Sequence, residues 1–210
     1  MLKVLVADDH TLIREGLKKI LKTAEDISVV LEAQNAREVI EEIKKENLDV
    51  VILDISLPGK SGLELLKDLK KDHPKLPVLI LSMHPEERFA IRALKAGASG
   101  YVTKESAVEE LIKAVRKVVQ GKKYVSAGLA EKLALDLGAD TEKPPHENLS
   151  DREYQILCLI AAGKTIRHIA GELFLSKSTV TTYRMRILEK MNMKTDAELI
   201  RYALQNQLID

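Results

Sequence analysis

The sequence predicts two joined units: an α/β unit built on a parallel sheet, followed by an all-helical unit. Three observations predict this. Five short apolar runs rich in β-branched residues alternate with helically periodic segments up to Gly121; a Gly-, Pro- and acid-containing stretch interrupts the pattern; and four helices with clear start signals follow it. A chain of 210 residues can bury two cores. Lys and Arg number 33 against 32 Asp and Glu, so overall charge names no partner and must be read locally. The single cysteine, Cys158, lies in an apolar helical pattern and can make neither an internal disulfide nor a multi-cysteine metal site. "MLKVLVADD" turns acidic after one short apolar run, and no stretch approaches the roughly 18 apolar residues of a membrane span, so a cytoplasmic protein with no membrane partner is expected.

The expected strands are 2–7 ("LKVLVA"), 28–32 ("SVVLE"), 49–54 ("DVVILD"), 77–82 ("PVLILS") and 100–103 ("GYVT"). The segments between them carry helical spacing, as in Leu12, Leu17, Ile20 and Leu21, and again in Ala90, Ile91 and Leu94. Such alternation implies a sheet covered on both faces with ligands bound at the carboxyl ends of its strands, which sets Asp8, Asp9, Asp54, Ser82 and Lys104 along one edge. The first unit spans 1–121 and a linker spans 122–147, with one short amphipathic helix near Ala127–Leu137. In the second unit, 148–210, Ser150 with Glu153 forms a capping box and Gly163 closes that helix; Thr165 and Ser176 cap the next two, and Thr195 with Glu198 forms a second capping box.

Asp54 ends an apolar run that reads as a strand buried on both faces, so its carboxylate belongs in a cleft at the strand's end. Three carboxylates at adjoining strand ends repel one another unless a cation offsets them. Mg²⁺ takes one or two carboxylates, keeps waters and bridges to phosphoryl oxygens, so Asp8, Asp9 and Asp54, with the backbone carbonyl of Ser56, read as a phosphoryl-transfer site. Asp54 is then the nucleophile, the Lys104 ammonium stabilises charge on the transferring group, and the Ser82 hydroxyl hydrogen-bonds to it. Taken singly, each of these residues could simply end a strand. His10 is expected to pack or cap the first helix, since Mg²⁺ prefers oxygen, and His84 stands near enough to influence the access of water.

"VADDH", "VILDISLPGKSGLELL", "VLILSMH" and "ALKAGASGYVTK" resemble the receiver domain of two-component response regulators over about residues 1–120. The resemblance implies a flavodoxin-like fold with sheet order 2-1-3-4-5, in which Asp54 takes a phosphoryl group from a sensor histidine kinase. It also implies that Asp8 and Asp9 hold Mg²⁺, that Ser82 and Lys104 contact the phosphate, and that Tyr101 is an aromatic switch. An enzyme reading, a Mg²⁺-dependent phosphohydrolase, would need a general acid to turn the aspartyl-phosphate over quickly, and none is evident; at most slow self-dephosphorylation is expected.

In 148–210, Lys and Arg number 9 against 7 acidic residues, so DNA binding must be argued from placement. "TIRHIAGELFL" and "SKSTVTTYRMRILEKM" read as helix, tight turn, helix, the arrangement that puts its second member, 177–191, in the major groove. Val180, Ile187 and Met191 share an inward face; Ser178, Thr181, Thr182, Met185, Arg186 and Glu189 lie on the opposite arc, with Lys177, Arg184, Lys190 and Lys194 flanking as phosphate candidates. A module for protein or RNA is the alternative. The stretch from Leu149 on resembles the LuxR-type helix-turn-helix, and with the receiver it resembles the NarL/FixJ class of response regulators, which implies binding double-stranded promoter DNA as a homodimer when phosphorylated or DNA-bound. His168, Thr181, Tyr183 and Met185 depart from the usual pattern; Thr181 and Met185 stand where basic residues often contact DNA.

Overall fold

The computed structural model describes residues 1–84, 86–106, 108–126, 128–131 and 144–209. The chain divides into two compact units, Met1–Leu137 and Gly138–Asp210.

The first unit alternates β1 (Leu2–Ala7), α1 (Thr11–Lys22), β2 (Ile27–Ala33), α2 (Ala36–Glu42), β3 (Val50–Asp54), α3 (Gly62–Asp72), β4 (Val78–Ser82), α4 (Glu86–Lys95), β5 (Gly100–Thr103) and α5 (Val108–Val119). The five strands form one parallel sheet in the order β2-β1-β3-β4-β5, as expected. Alternate side chains leave opposite faces of each strand. One set, Val4, Val6, Ile52, Leu79, Leu81 and Val102, packs with Leu17 and Leu21 of α1 and Leu111, Ala114, Val115 and Val118 of α5. Because both faces are covered, β3 and β4 are buried at every position, which is why they read as unbroken apolar runs. β1 lies between β2 and β3, so the chain leaves it toward opposite sides of the sheet and a crevice opens at the carboxyl ends of β1 and β3.

Two differences from expectation concern helix faces and the exit from this unit. Leu12 is 84% exposed, and Arg14 takes its place on the inner face of α1, in register with Leu17 and Leu21. Residues 122–126, read as the start of the linker, are fastened to the first unit. The Tyr124 amide donates to Ser99 O (2.9 Å) and its hydroxyl to Glu110 Oε1 (2.8 Å), while Ser126 Oγ donates to Glu86. Gly100 makes room for this docking, since a Cβ there would sit 2.7 Å from Tyr124 O. Of the short helix expected near Ala127–Leu137, Ser126 O accepts from the Ala130 amide; residues 132–143 lie outside the described residues.

The second unit opens with a 3₁₀ turn (Pro145–Asn148), followed by α6 (Asp151–Ala161), α7 (Ile166–Glu172), α8 (Lys177–Lys190) and α9 (Asp196–Gln205). Every expected cap is present: the Ser150/Glu153 and Thr195/Glu198 boxes, and Thr165 and Ser176 accepting amides at their helix starts. Gly163, with φ of 77°, ends the first of these helices in the left-handed region. α6 packs against α8 and α9, and α7 against α8. Val180, Ile187 and Met191 are buried, as the periodicity requires.

Candidate functional site

The register of the sheet brings the expected acidic residues together. Ala7 pairs with Leu53, so Asp8 and Asp9, just past β1, stand beside Asp54 at the end of β3. Asp8 and Asp54 are buried, and ligand atoms of Asp8, Asp9, His10 and Asp54 lie within 4.8 Å of one another. Lys104 arrives from two strands away. Its amide donates to Ser82 O (2.8 Å), carrying the β4–β5 ladder one step further, and its side chain spans the cleft to place Nζ 2.6 Å from Asp8 Oδ2 and 2.9 Å from Asp54 Oδ2.

One ammonium thus faces two buried carboxylates. Burial pushes the Asp54 pKa up, the Asp8 charge adds to that, and Lys104 opposes it without reversing it. Burial alone would lower the Lys104 pKa, but Asp54 and Asp8 outweigh it and hold the value up, so the lysine stays charged. The carboxylates are under-neutralised: Asp8 Oδ2 and Asp9 Oδ1 are buried yet accept no hydrogen bond of good geometry, although the first lies against Lys104 and the second 2.9 Å from His10 Nδ1. Buried oxygen donors with spare lone pairs suit a hard divalent cation such as Mg²⁺. His10 occupies the N-cap position of α1, but its ring makes no capping bond and is largely exposed against the two aspartates, a correction to the expected cap.

The loop after β3 closes over Asp54. The Ser56 amide donates to Asp54 Oδ1 (3.2 Å), and the Gly62 amide to Ile55 O (2.8 Å). A Cβ on Gly62 would lie 2.1 Å from Asp54 O, so only glycine lets α3 start this close to the end of β3. Ser82 is fully buried at the end of β4 and its Oγ accepts from the His84 amide (3.1 Å). Tyr101 is turned inward, 1% exposed, and its hydroxyl donates to His84 O (2.8 Å). One peptide segment, that of His84, is therefore held from both sides, and its ring lies 4.7 Å from that of buried Phe89.

In the second unit, α8 presents Ser178, Thr181, Thr182, Met185, Arg186 and Glu189 to the exterior. The flanking cations divide. Arg184 Nε pairs with Asp196 (2.7 Å) and Lys190 with Glu153 (2.7 Å), so both are drawn onto the unit's own surface. Lys177, Arg186 and Lys194 place their cationic groups in no hydrogen bond or ion pair among the described residues. The turn before α8 is held by buried Arg152, whose Nη2 donates to Leu173 O (3.0 Å), with Phe174 left-handed at φ 54°.

Comparison with known proteins agrees with both halves. A family model for the response regulator receiver domain matches residues 4–116, and one for bacterial regulatory proteins of the luxR family matches residues 147–203. The chain belongs to the LuxR-type response regulators. Response regulator GacA of Pseudomonas aeruginosa is 36% identical over 211 residues, covering 100% of this chain and 99% of that protein. Response regulator UvrY of Escherichia coli is 34% identical over 209 residues, with coverage of 99% and 96%. Among solved structures, RcsB of Salmonella enterica serovar Typhimurium bound to promoter rprA in the presence of phosphomimetic BeF3⁻ superposes with a TM-score of 0.66 at 28% identity, over 96% of this chain and 97% of that one. The response regulator ChrA of a heme-sensing two-component system gives 0.54 at 32% identity, over 99% and 98%. This LuxR-type regulator is thus a DNA-binding transcription regulator and not a metabolic enzyme, and among its described residues no helix is long and apolar enough to cross a membrane.

One contributor has no place in the sequence reading, and another has a different one. Arg14, buried in α1, donates to Asp8 O (2.6 Å) and pins the acidic turn; an arginine on the apolar stripe of a helix was the available signal. His84, expected to influence the access of water through its side chain, is held between Ser82 and Tyr101 through its backbone, which leaves no signature in residue type.

Proposed function

We propose that Asp54 accepts a phosphoryl group from a sensor histidine kinase and that the modified protein binds double-stranded promoter DNA as a homodimer through α8, acting in the cytoplasm. The observation that carries this is the contact of the Lys104 ammonium with both Asp54 and Asp8 at the sheet's crevice. Asp8, Asp9 and Asp54, with the Ser56 carbonyl, would hold Mg²⁺, which when bound neutralises carboxylate charge and draws phosphoryl oxygens toward the acceptor. An Asp54 oxygen forms the new O–P bond as the N–P bond of the donor histidine breaks. Lys104, charged throughout, transfers its contact from the Asp54 carboxylate to phosphoryl oxygen. The Ser82 hydroxyl turns from the His84 amide to the same group, and His84, released on one side, changes what Tyr101 holds on the other. Self-dephosphorylation of Asp54 is at most slow on this reading.

For DNA, the arc of Ser178, Thr181, Thr182, Met185 and Arg186 faces the bases, and Lys177 and Lys194 take phosphates. Arg184 and Lys190 reach phosphates only by leaving Asp196 and Glu153, and so contribute less. Residues 1–121, with 122–126 docked on them, carry the input, and 148–210 carry the output.

Intact mass of the full chain after incubation with Mg²⁺ and a small phosphodonor tests the input. One phosphoryl group gained, and none in Asp54→Asn, is expected; equal gain in the variant refutes the assignment. Gel shifts with duplex DNA against RNA test the output, with Thr182→Ala plus Arg186→Ala expected to abolish the duplex shift.

A further inference from the structure

The hydroxyls on the exposed face of α8 are already spent. Thr181 Oγ1 donates to Lys177 O at 2.9 Å, Thr182 Oγ1 to Ser178 O at 3.0 Å, and Ser178 Oγ meets Ser176 Oγ at 2.7 Å within the N-cap cluster. A threonine whose hydroxyl bonds the carbonyl one turn back holds its γ-methyl in the other staggered position, away from that carbonyl. Thr181 and Thr182 are both exposed, so the helix shows the exterior two methyl groups. Met185 lies four residues after Thr181 and three after Thr182, adjacent to both on the helix surface, and is 63% exposed. A single exposed methionine needs no explanation, but a methionine continuous with two outward methyls is an apolar strip.

The surroundings of the strip say what it meets. Lys177 and Arg186 border it with cationic groups unpaired among the described residues, which complements a polyanion. The acidic member of the arc, Glu189, sits a turn beyond Met185, so close approach favours the N-terminal half of the helix. In the major groove the thymine 5-methyl is the one apolar group on a base edge. Resting on the DNA-binding reading above, we infer that α8 selects its half-site by thymine methyl groups, contacted by the methyls of Thr181 and Thr182 and by the Met185 side chain, with Arg186 as the cationic reader. Hydroxyl hydrogen bonds to bases do not enter the selection.

The test uses the full-length protein to select duplexes from a random double-stranded library, followed by anisotropy titrations of the selected duplex. Replacing thymine with deoxyuracil removes only the methyl. Each contacted methyl should contribute roughly three- to fivefold, so full replacement should weaken binding about tenfold or more, concentrated at two or three positions per half-site. Thr182→Val, which keeps the methyl and loses the hydroxyl, should still discriminate thymine from deoxyuracil at every position; Thr182→Ser, which does the reverse, should lose discrimination at one position, and Met185→Ala at another. Deoxyuracil duplexes bound within twofold of thymine duplexes overturn the inference, as does a Thr182→Val variant that loses discrimination where Thr182→Ser keeps it. Failure of any duplex to enrich overturns the DNA-binding reading itself, and this inference with it.

Discussion

Replacing Asp54 with Asn should make the protein in chelator more stable at neutral pH while removing the proposed phosphoacceptor. The side chain is 2% exposed, and burial is the main cause of its raised pKa. At an effective dielectric of about 20, Lys104 at 2.9 Å supplies about 6 kcal/mol of attraction. An Asp8 oxygen within 4.8 Å returns at least about 3.5 kcal/mol of repulsion. Lys104 keeps its 2.6 Å contact to Asp8 when Asp54 is neutral, so most of its stabilisation survives the substitution. What remains is the desolvation of a carboxylate, several kcal/mol. The isosteric amide escapes that term at the loss of one contact, since its NH₂ group must face either the Ser56 amide or the Lys104 ammonium, both donors. The expected gain is about 1–3 kcal/mol, or roughly 3–10 °C in the midpoint of the α/β unit. The sign with pH follows from linkage. The folded pKa lies above the unfolded value of about 3.9, so wild-type stability from this group is full below that pH and is lost as pH rises through the folded pKa. Calorimetry of full-length wild type and variant in chelator, from pH 4 to 8, should show a gap that widens in that interval. A lower midpoint for the variant at pH 7, or a gap that ignores pH, refutes the argument. Added Mg²⁺ should narrow the gap by stabilising wild type more.

Lys104→Met should cost about 3–5 kcal/mol in chelator, because two buried carboxylates lose their shared counterion, and Mg²⁺ should restore part of it; urea titrations with and without Mg²⁺ giving equal losses would contradict this. Gly100→Ala puts a Cβ 2.7 Å from Tyr124 O and 3.0 Å from Leu79 Cδ1, so a loss of about 1–3 kcal/mol is expected, with faster tryptic cleavage after Lys122 and Lys123. Unchanged cleavage would mean that Tyr124 is not held there. At Glu153, burial would raise the pKa, but the Lys190 and Ser150 hydrogen bonds hold it down. Its stabilisation is present above about pH 4.3 and is lost as pH falls through the folded pKa, so Glu153→Gln should cost about 1 kcal/mol in urea midpoints at pH 7 and less at pH 3.5.

The strands and the caps of the second unit were legible because each rests on local chemistry: a doubly buried strand must be apolar throughout, and Ser150, Thr165, Ser176 and Thr195 satisfy amides within their own turn. The acidic edge was legible because strand ends in a parallel sheet converge whatever the loops do. Residues whose roles depend on distant partners were not. Arg14 stands on the apolar stripe of its helix without a visible reason until Asp8 O and Glu32 are placed beside it. Arg184 and Lys190 read as phosphate ligands until Asp196 and Glu153 claim them. Tyr124 lay in a stretch with linker composition, and only the bare backbone of Gly100 reveals why it docks. Periodicity placed Leu12 inward because it counts apolar residues, whereas the helix rotates to bury an arginine with carbonyl and carboxylate partners.

That buried arginine bears on how fast the acidic cleft can be used. Arg14 grips Asp8 O at 2.6 Å, Thr11 Oγ1 at 3.3 Å and Glu32 at 3.3 Å, so the turn carrying the carboxylates is already fixed in the folded chain. Ordering a free turn costs about 1–2 kcal/mol per residue. Here that entropy is surrendered during folding, so on the proposed reading a cation would meet a backbone turn already ordered. Loading would then wait on encounter, dehydration and the yielding of Lys104 rather than on closure of a loop.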